Sequence, residues 1–251
     1  MQTAEGYYYT DTLGERTTDP VILIHGIGGS HLSWPAAMRK IRGRRTIVID
    51  LPGHGSSEGT ASQTIEGYSK SLDSVLKAAK VYRAIFVGYS LGAQIALHYS
   101  TIHPDRCAGL GLIASSAEPQ VPARLLYLLN DAAASSAVRD LVCSLMFDPN
   151  TPPLKIKELE KILFTSRKST IIADWRAFTE FRFPKIEDEL PDTPIWICAA
   201  RDDQLIPVRT LRELARRRPS LACTYVDHCG HGILVEQPDV VSRAFEENLL
   251  K

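Results

Sequence analysis

Short apolar runs alternate along this chain with longer stretches of helical spacing. Val21-Ile22-Leu23-Ile24 ends at His25-Gly26, Thr46 to Ile49 ends at Asp50, and Ala84 to Val87 ends at Gly88. Gly109 to Ile113, Pro194 to Cys198 and Ala222 to Val226 complete the series. None of these runs alternates with polar residues, so each reads as a strand covered on both faces, the habit of parallel sheets. Between them, the spacing predicts helices over Trp34–Ile41, Thr64–Lys80, Leu91–His103, Arg209–Arg217 and Gln237–Leu250. Strand and helix in turn imply right-handed crossovers, and so an α/β fold with a doubly wound, mostly parallel sheet. Ahead of the first run, Tyr7-Tyr8-Tyr9-Thr10 predicts an outer strand, turned at Leu13-Gly14-Glu15.

The alternation breaks once, from Glu118 to Leu190. Leu125, Leu126, Leu128 and Leu129 share a helical face, as do Leu141, Val142, Leu145 and Met146. Ile156, Leu159, Ile162 and Leu163 repeat the pattern, followed by Ile171, Ile172, Trp175 and Phe178. Pro149, Pro152 and Pro153 punctuate the middle. Because the strand pattern resumes afterwards, we expect residues 118–190 to be a helical cap inserted into a core made of residues 1–117 and 191–251. No internal repeat stands out.

Composition narrows the partners. The 251 residues balance 29 Lys+Arg against 29 Asp+Glu, which removes any global pull toward nucleic acid or an anionic membrane. A small molecule is the expected partner. The first residues lack the basic and apolar regions of a secretory signal, and no apolar run has transmembrane length. Cys107, Cys143, Cys198, Cys223 and Cys229 are scattered without CxxC spacing, so neither a disulfide framework nor a zinc site is expected. These features fit reduced thiols and a cytoplasmic location.

The sharpest chemistry lies in Gly88-Tyr89-Ser90-Leu91-Gly92. This G-x-S-x-G sequence directly follows one predicted strand and opens a predicted helix. Small neighbours relieve crowding at such a strained turn, and the helix N-terminus adds a positive dipole beside the hydroxyl. Ser90 is the candidate nucleophile; its bland alternative is a simple helix cap. A serine hydroxyl needs a base. His231, in Cys229-Gly230-His231-Gly232, follows the last strand and so lies at the same carboxyl edge of the sheet. Its flanking glycines allow close approach, whereas His228 is the competitor. The loop Arg201-Asp202-Asp203-Gln204-Leu205-Ile206-Pro207 offers two acids to orient the base.

Taken in order, His25-Gly26, Asp50-Leu51-Pro52-Gly53-His54-Gly55-Ser56-Ser57, the Ser90 turn, and the acid and histidine loops resemble the markers of α/β-hydrolases. The resemblance covers nearly the whole chain. It implies the order Ser90, Asp203, His231 for a catalytic triad, because many members read G-x-x-D-x-x-V-P, which Pro207 aligns on Asp203. Ala200 stands where that glycine is usual. Leu91, just after the nucleophile, should offer one backbone N–H to an oxyanion. The resemblance places the second donor after His-Gly, at Ile27. The Asp50–Ser57 segment resembles a structural loop, and His25 and His54 read as loop-holding residues. His31, His98 and His103 show no chemical partner in the sequence. A phosphate cradle at Gly26–Gly29 is disfavoured, since neither G-K-[ST] nor G-x-G-x-x-G spacing is present.

These residues predict a serine hydrolase that cleaves carboxylic esters of small molecules through an acyl-enzyme, with no metal or organic cofactor. A serine at this turn argues against the haloalkane dehalogenases and epoxide hydrolases that share the resemblance, which use aspartate there. Enol-lactonases, thioesterases, carbon–carbon bond hydrolases and acyl-carrier-protein methyl esterases share the machinery. Ten Lys/Arg against eleven Asp/Glu between Glu118 and Glu189 weigh against docking of an acidic carrier protein. A small-molecule receptor with a retained triad is the reading from another class.

Overall fold

The computed structural model describes residues 2–14, 18–115, 121–130, 135–163, 166–182, 190 and 192–250. Glu15, the expected boundary at Glu118, the Lys185–Glu189 stretch, and the side chains of Leu126 and Leu129 lie outside what it describes.

Among the described residues, eight strands form one sheet in the order β1-β2-β4-β3-β5-β6-β7-β8. They are β1 (Gln2–Ala4), β2 (Tyr7–Asp11), β3 (Val21–Ile24), β4 (Thr46–Ile49), β5 (Ala84–Tyr89), β6 (Cys107–Ile113), β7 (Ile195–Ala200) and β8 (Ala222–Val226). The pairings β1–β2 and β2–β4 are antiparallel, and the others are parallel. The central strands β3 to β7 are buried almost throughout because helices cover both faces, whereas β8 at the edge is mostly half-buried. Ile22, Ile24, Ile47 and Phe86 share one core with Leu72, Leu76, Leu91 and Ile95. Val21, Leu23, Val48 and Val87 share the other with Met38, Ile233, Val241 and Phe245. The fold is thus α/β and doubly wound, as the alternation predicts.

The helices are α1 (Ala36–Arg39), α2 (Ile65–Ala78), α3 (Leu91–Ile102), α4 (Ala123–Asn130), α5 (Ser135–Met146), α6 (Pro153–Leu163), α7 (Lys168–Glu180), α8 (Val208–Arg217), α9 (Ile233–Glu236) and α10 (Pro238–Leu249). Helix α2 starts where its sequence allows a cap: the Thr64 hydroxyl accepts from Gly67 N at 3.1 Å. Two expectations need correction. Of the helix expected over Trp34–Ile41 only the short α1 forms, with Pro35 at its N-cap, and a 3₁₀ turn at His31–Ser33 precedes it. The Tyr7–Thr10 strand is not the outermost one, since β1 pairs outside it through Thr3 and Tyr8. Three residues, two of them polar, give β1 no periodicity to read.

Helices α4 to α7 lie between β6 and β7, within the stretch where the strand pattern lapses. Pro153 opens α6, in keeping with its fixed φ and missing N–H. No described helix is long and apolar enough to cross a membrane.

Strand order creates the site. The chain runs from β3 to β4 on one side and returns to β5 on the other, with Ile24 paired to Gly88. The loops leaving β3 and β5 therefore abut at a topological switch point, where open α/β sheets bind ligands.

Candidate active site

Ser90 sits between β5 and α3 with φ 54° and ψ −116°. Such a backbone costs a non-glycine residue about 1–3 kcal/mol, and persists only where its surroundings enforce it. Gly88 and Gly92 make it possible. A Cβ on Gly88 would collide with the Gly92 carbonyl, and one on Gly92 with the Ile24 carbonyl. Ser90 N donates to Ile113 O at 2.9 Å, which ties the turn to β6.

His231 Nε2 lies 2.9 Å from Ser90 Oγ, and His231 Nδ1 lies 2.8 Å from Asp203 Oδ2. The carboxylate is an acceptor, so Nδ1 carries the proton and Nε2 is free to accept one from the serine hydroxyl. The other Asp203 oxygen accepts from Leu205 N at 2.9 Å and Ile206 N at 2.8 Å, which fixes the carboxylate in place. All three side chains are buried, at 4%, 2% and 6% exposure in the order Ser90, His231, Asp203. The competitors lie elsewhere. Asp202 is exposed and faces the Cys229 backbone, and His228 is exposed. Tyr89 Oη donates to His231 O at 2.8 Å and packs its ring against the imidazole.

Leu91 is the first residue of α3, where backbone N–H groups have no intrahelical acceptor. Ile27 lines the same pocket as Ser90. The peptide that carries the Ile27 N–H is held by its own carbonyl: Gly26 O accepts from Gly29 N at 3.1 Å and from His25 Nδ1 at 2.8 Å. His25 Nε2 in turn accepts from Leu51 N at 3.1 Å. That pair of contacts requires neutral His25 with its proton on Nδ1. Burial, together with the nearby His54 charge, pushes its pKa well below the usual histidine range, in agreement. His25 and His54 thus hold loops, as expected. His31 does not lack a partner as the sequence suggested: its Nδ1 lies 3.0 Å from the buried Asp50 carboxylate, which also accepts from Ser56 N.

Beside Ser90 the pocket is apolar, walled by Val142, Met146, Leu163, Ile171, Trp175 and Phe178 from the helices between β6 and β7. Two buried carboxylates at its edges escaped sequence reasoning. Asp174, on α7, faces the Ile27–Gly28 loop. Glu236, on α9, accepts from Gly230 N at 3.0 Å and Asp148 N at 3.1 Å. The only signal for either was an acid set among apolar residues at helical spacing, as in Ile171, Asp174 and Phe178.

A family model described as alpha/beta hydrolase fold matches residues 19–238. The chain therefore belongs to the α/β-hydrolase family. Among its relatives is RutD of Caulobacter sp. (strain K31), named as a carbamate hydrolase, 26% identical over 96% of this chain and 95% of the relative. A pimeloyl-[acyl-carrier protein] methyl ester esterase of Vibrio vulnificus (strain YJ016) is 24% identical over 87% of this chain and 89% of its own. The fold matches the enol-lactonase from Burkholderia xenovorans LB400 with a TM-score of 0.85 at 20% identity, covering 99% and 98% of the two chains. It also matches a thermophilic esterase from Thermogutta terrifontis with a TM-score of 0.83 at 22% identity, covering 96% and 92%.

Proposed function

We propose that this protein is a serine hydrolase that cleaves carboxylic esters of small molecules with apolar acyl groups. The observation that carries the reading is the hydrogen-bonded series Ser90–His231–Asp203 opening on an apolar pocket. Ser90 Oγ attacks the ester carbonyl as His231 Nε2 takes its proton. The developing oxyanion is held by the Ile27 and Leu91 N–H groups, each worth roughly 3–4 kcal/mol at the transition state. His231 then protonates the departing alcohol and activates water, which releases the acid and restores Ser90. Asp203 keeps the imidazole in the required tautomer and stabilises its protonated form.

The helices between β6 and β7 act as a cap in this reading, and their side chains set acyl preference. Among the described residues that wall the pocket, the polar side-chain groups are those of Ser90, His231, Tyr89 and Trp175. None of these described residues is a lysine or arginine that would pair with a charged acyl group, which favours this substrate class over esters whose acyl part bears a carboxylate.

The test pairs p-nitrophenyl esters of increasing chain length with a fluorophosphonate probe. Wild-type protein should turn esters over and be labelled at Ser90. Ser90→Ala should lose both without losing its fold. Activity retained by Ser90→Ala, or labelling at another residue, would overturn the assignment. Labelling at Ser90 without turnover would point to a receptor instead.

A further inference from the structure

Asp174 is fully buried on α7, yet it is the meeting point of three donors. Its Oδ2 accepts from Gly28 N at 2.8 Å and from His54 Nε2 at 2.8 Å, and its Oδ1 accepts from Tyr68 Oη. His54 is itself fully engaged, for its Nδ1 faces Pro52 O at 3.0 Å. A carbonyl and a carboxylate both need a donor, so both ring nitrogens carry protons and His54 is an imidazolium. Burial opposes that charge, but the Asp174 carboxylate more than offsets it and raises the His54 pKa. An aspartate and a charged histidine are thus matched inside the protein, with backbone Gly28 as a further ligand.

Gly28 matters because of its neighbour. Its N–H belongs to the peptide immediately after Ile27. It has φ +63°, and a Cβ there would come within 2.6 Å of Leu163 O, at the end of α6. Its own carbonyl accepts from Ser166 Oγ at 3.0 Å. Both sides of Gly28 are therefore held by residues that lie between β6 and β7. The Gly26 carbonyl fixes the peptide before Ile27, and Asp174 fixes the one after it.

We propose that Asp174 is a positioning residue for acyl transfer: its carboxylate anchors Gly28 and so aims the Ile27 N–H at the oxyanion. The proposal rests on the ester hydrolase reading above. Asp174 touches no reacting atom; it acts through the loop. A donor misplaced by about 1 Å costs on the order of 100-fold in rate.

The experiment compares Asp174→Ala with Asp174→Asn using a p-nitrophenyl ester and an alkyl boronic acid. The boronic acid adds to Ser90 and places an anionic oxygen where the oxyanion forms. Asn can keep an oxygen toward Gly28 N and turn its amide toward Tyr68, whose hydroxyl can accept; Ala offers nothing. Asp174→Ala should lose about 10- to 100-fold in kcat and in boronate affinity, with KM within about threefold of wild type. Asp174→Asn should restore most of the kcat at a lower Tm. A folded Asp174→Ala with wild-type kcat, or an Asn variant as impaired as Ala, would overturn the proposal. If Asp174→Ala fails to fold, Ser166→Ala decides, since it releases the other side of Gly28 from a half-buried position. It should lower kcat about 3- to 10-fold at constant KM, and an unchanged kcat would count against the anchor. Wild-type turnover with labelling at Ser90 is the control: its absence would sink the hydrolase reading itself, whereas an active wild type with an unaffected Asp174→Ala would sink only the positioning role.

Discussion

Replacing Glu236 with glutamine tests how firmly the His231 loop is held. The carboxylate is buried and meets donors only. Its Oε1 accepts from Gly230 N at 3.0 Å, and its Oε2 accepts from Asp148 N at 3.1 Å and Thr151 Oγ1 at 2.6 Å. Glutamine has one oxygen and one amide nitrogen. With the nitrogen in the Oε1 place, it confronts the Gly230 N–H. With the nitrogen in the Oε2 place, it confronts the Asp148 N–H. Thr151 can turn its hydroxyl round and accept, but a backbone N–H cannot. Either orientation strands one buried backbone donor. A hydrogen bond to a charged group contributes about 1.5–3 kcal/mol, and an unsatisfied buried donor costs about 1–3 kcal/mol. We therefore expect Glu236→Gln to lose roughly 2–4 kcal/mol of unfolding free energy in urea titrations, and to lower Tm by about 5–10 °C in a chain of this size. Because Gly230 adjoins His231, kcat should also fall several-fold. An unfolding free energy within about 0.5 kcal/mol of wild type, the range of an ordinary surface change, would refute this count of donors.

Three further outcomes follow from the same contacts. Asp203→Asn should lower kcat by about 10⁴-fold by putting the His231 proton on the wrong nitrogen, while Asp202→Asn should change it little; steady-state kinetics that rank them in reverse would move the acid to Asp202. Stability should peak near pH 6.5, because His25 and His54 are shifted in opposite directions. Below about 6.5 the unfolded chain takes up a proton that buried, neutral His25 does not, so stability falls with pH; above it, the contribution of His54 paired with Asp174 fades as pH rises through its raised pKa. Urea unfolding at several pH values should show the alkaline decline flattened in His54→Gln, and an unchanged decline would refute the link. Enlarging the pocket with Trp175→Ala should shift the best acyl chain in kcat/KM toward longer esters, since one methylene is worth about 1–3 kcal/mol in such a site; an unchanged chain-length profile would remove the cap from substrate selection.

The sheet was legible because each central strand is a continuous apolar run. The positions of Ser90, Asp203 and His231 in the fold were legible for the same reason, since each follows such a strand and parallel strands deliver their ends to one edge. Choosing Asp203 over Asp202 was beyond composition or periodicity: what separates them is which carboxylate turns inward to meet Leu205 N and Ile206 N. β1 was hidden because a three-residue edge strand is specified by its partner, not by its own pattern. His31 found Asp50 only once the β3 loop was laid beside the end of β4. Asp174 and Glu236 were hidden by a different cause. Helical periodicity marks which positions face inward, and an acid at such a position reads as a blemish until distant donors, Gly28 for Asp174 and Asp148 for Glu236, are brought to it from 146 and 88 residues away.

Those two acids share one arrangement with opposite polarity. Asp174 reaches from the helices between β6 and β7 to the loop after β3. Glu236 reaches from α9 to Asp148 and Thr151, between α5 and α6. Each joins the intervening helices to one of the two loops that flank Ser90. The second junction is closed further by Gly232 N, which donates to Met146 O at 2.7 Å, and by Gly230, where a Cβ would come within 2.7 Å of the same carbonyl. Met146 is also a wall of the pocket. A displacement of these helices would therefore break backbone contacts to the His231 loop and the Gly28 loop together. That coupling argues for a roof fixed by the contacts that hold the site, with acyl preference set by side-chain shape. It also predicts that truncating either acid to alanine lowers stability and turnover together, because the pocket wall and the loops beside Ser90 share the same anchors.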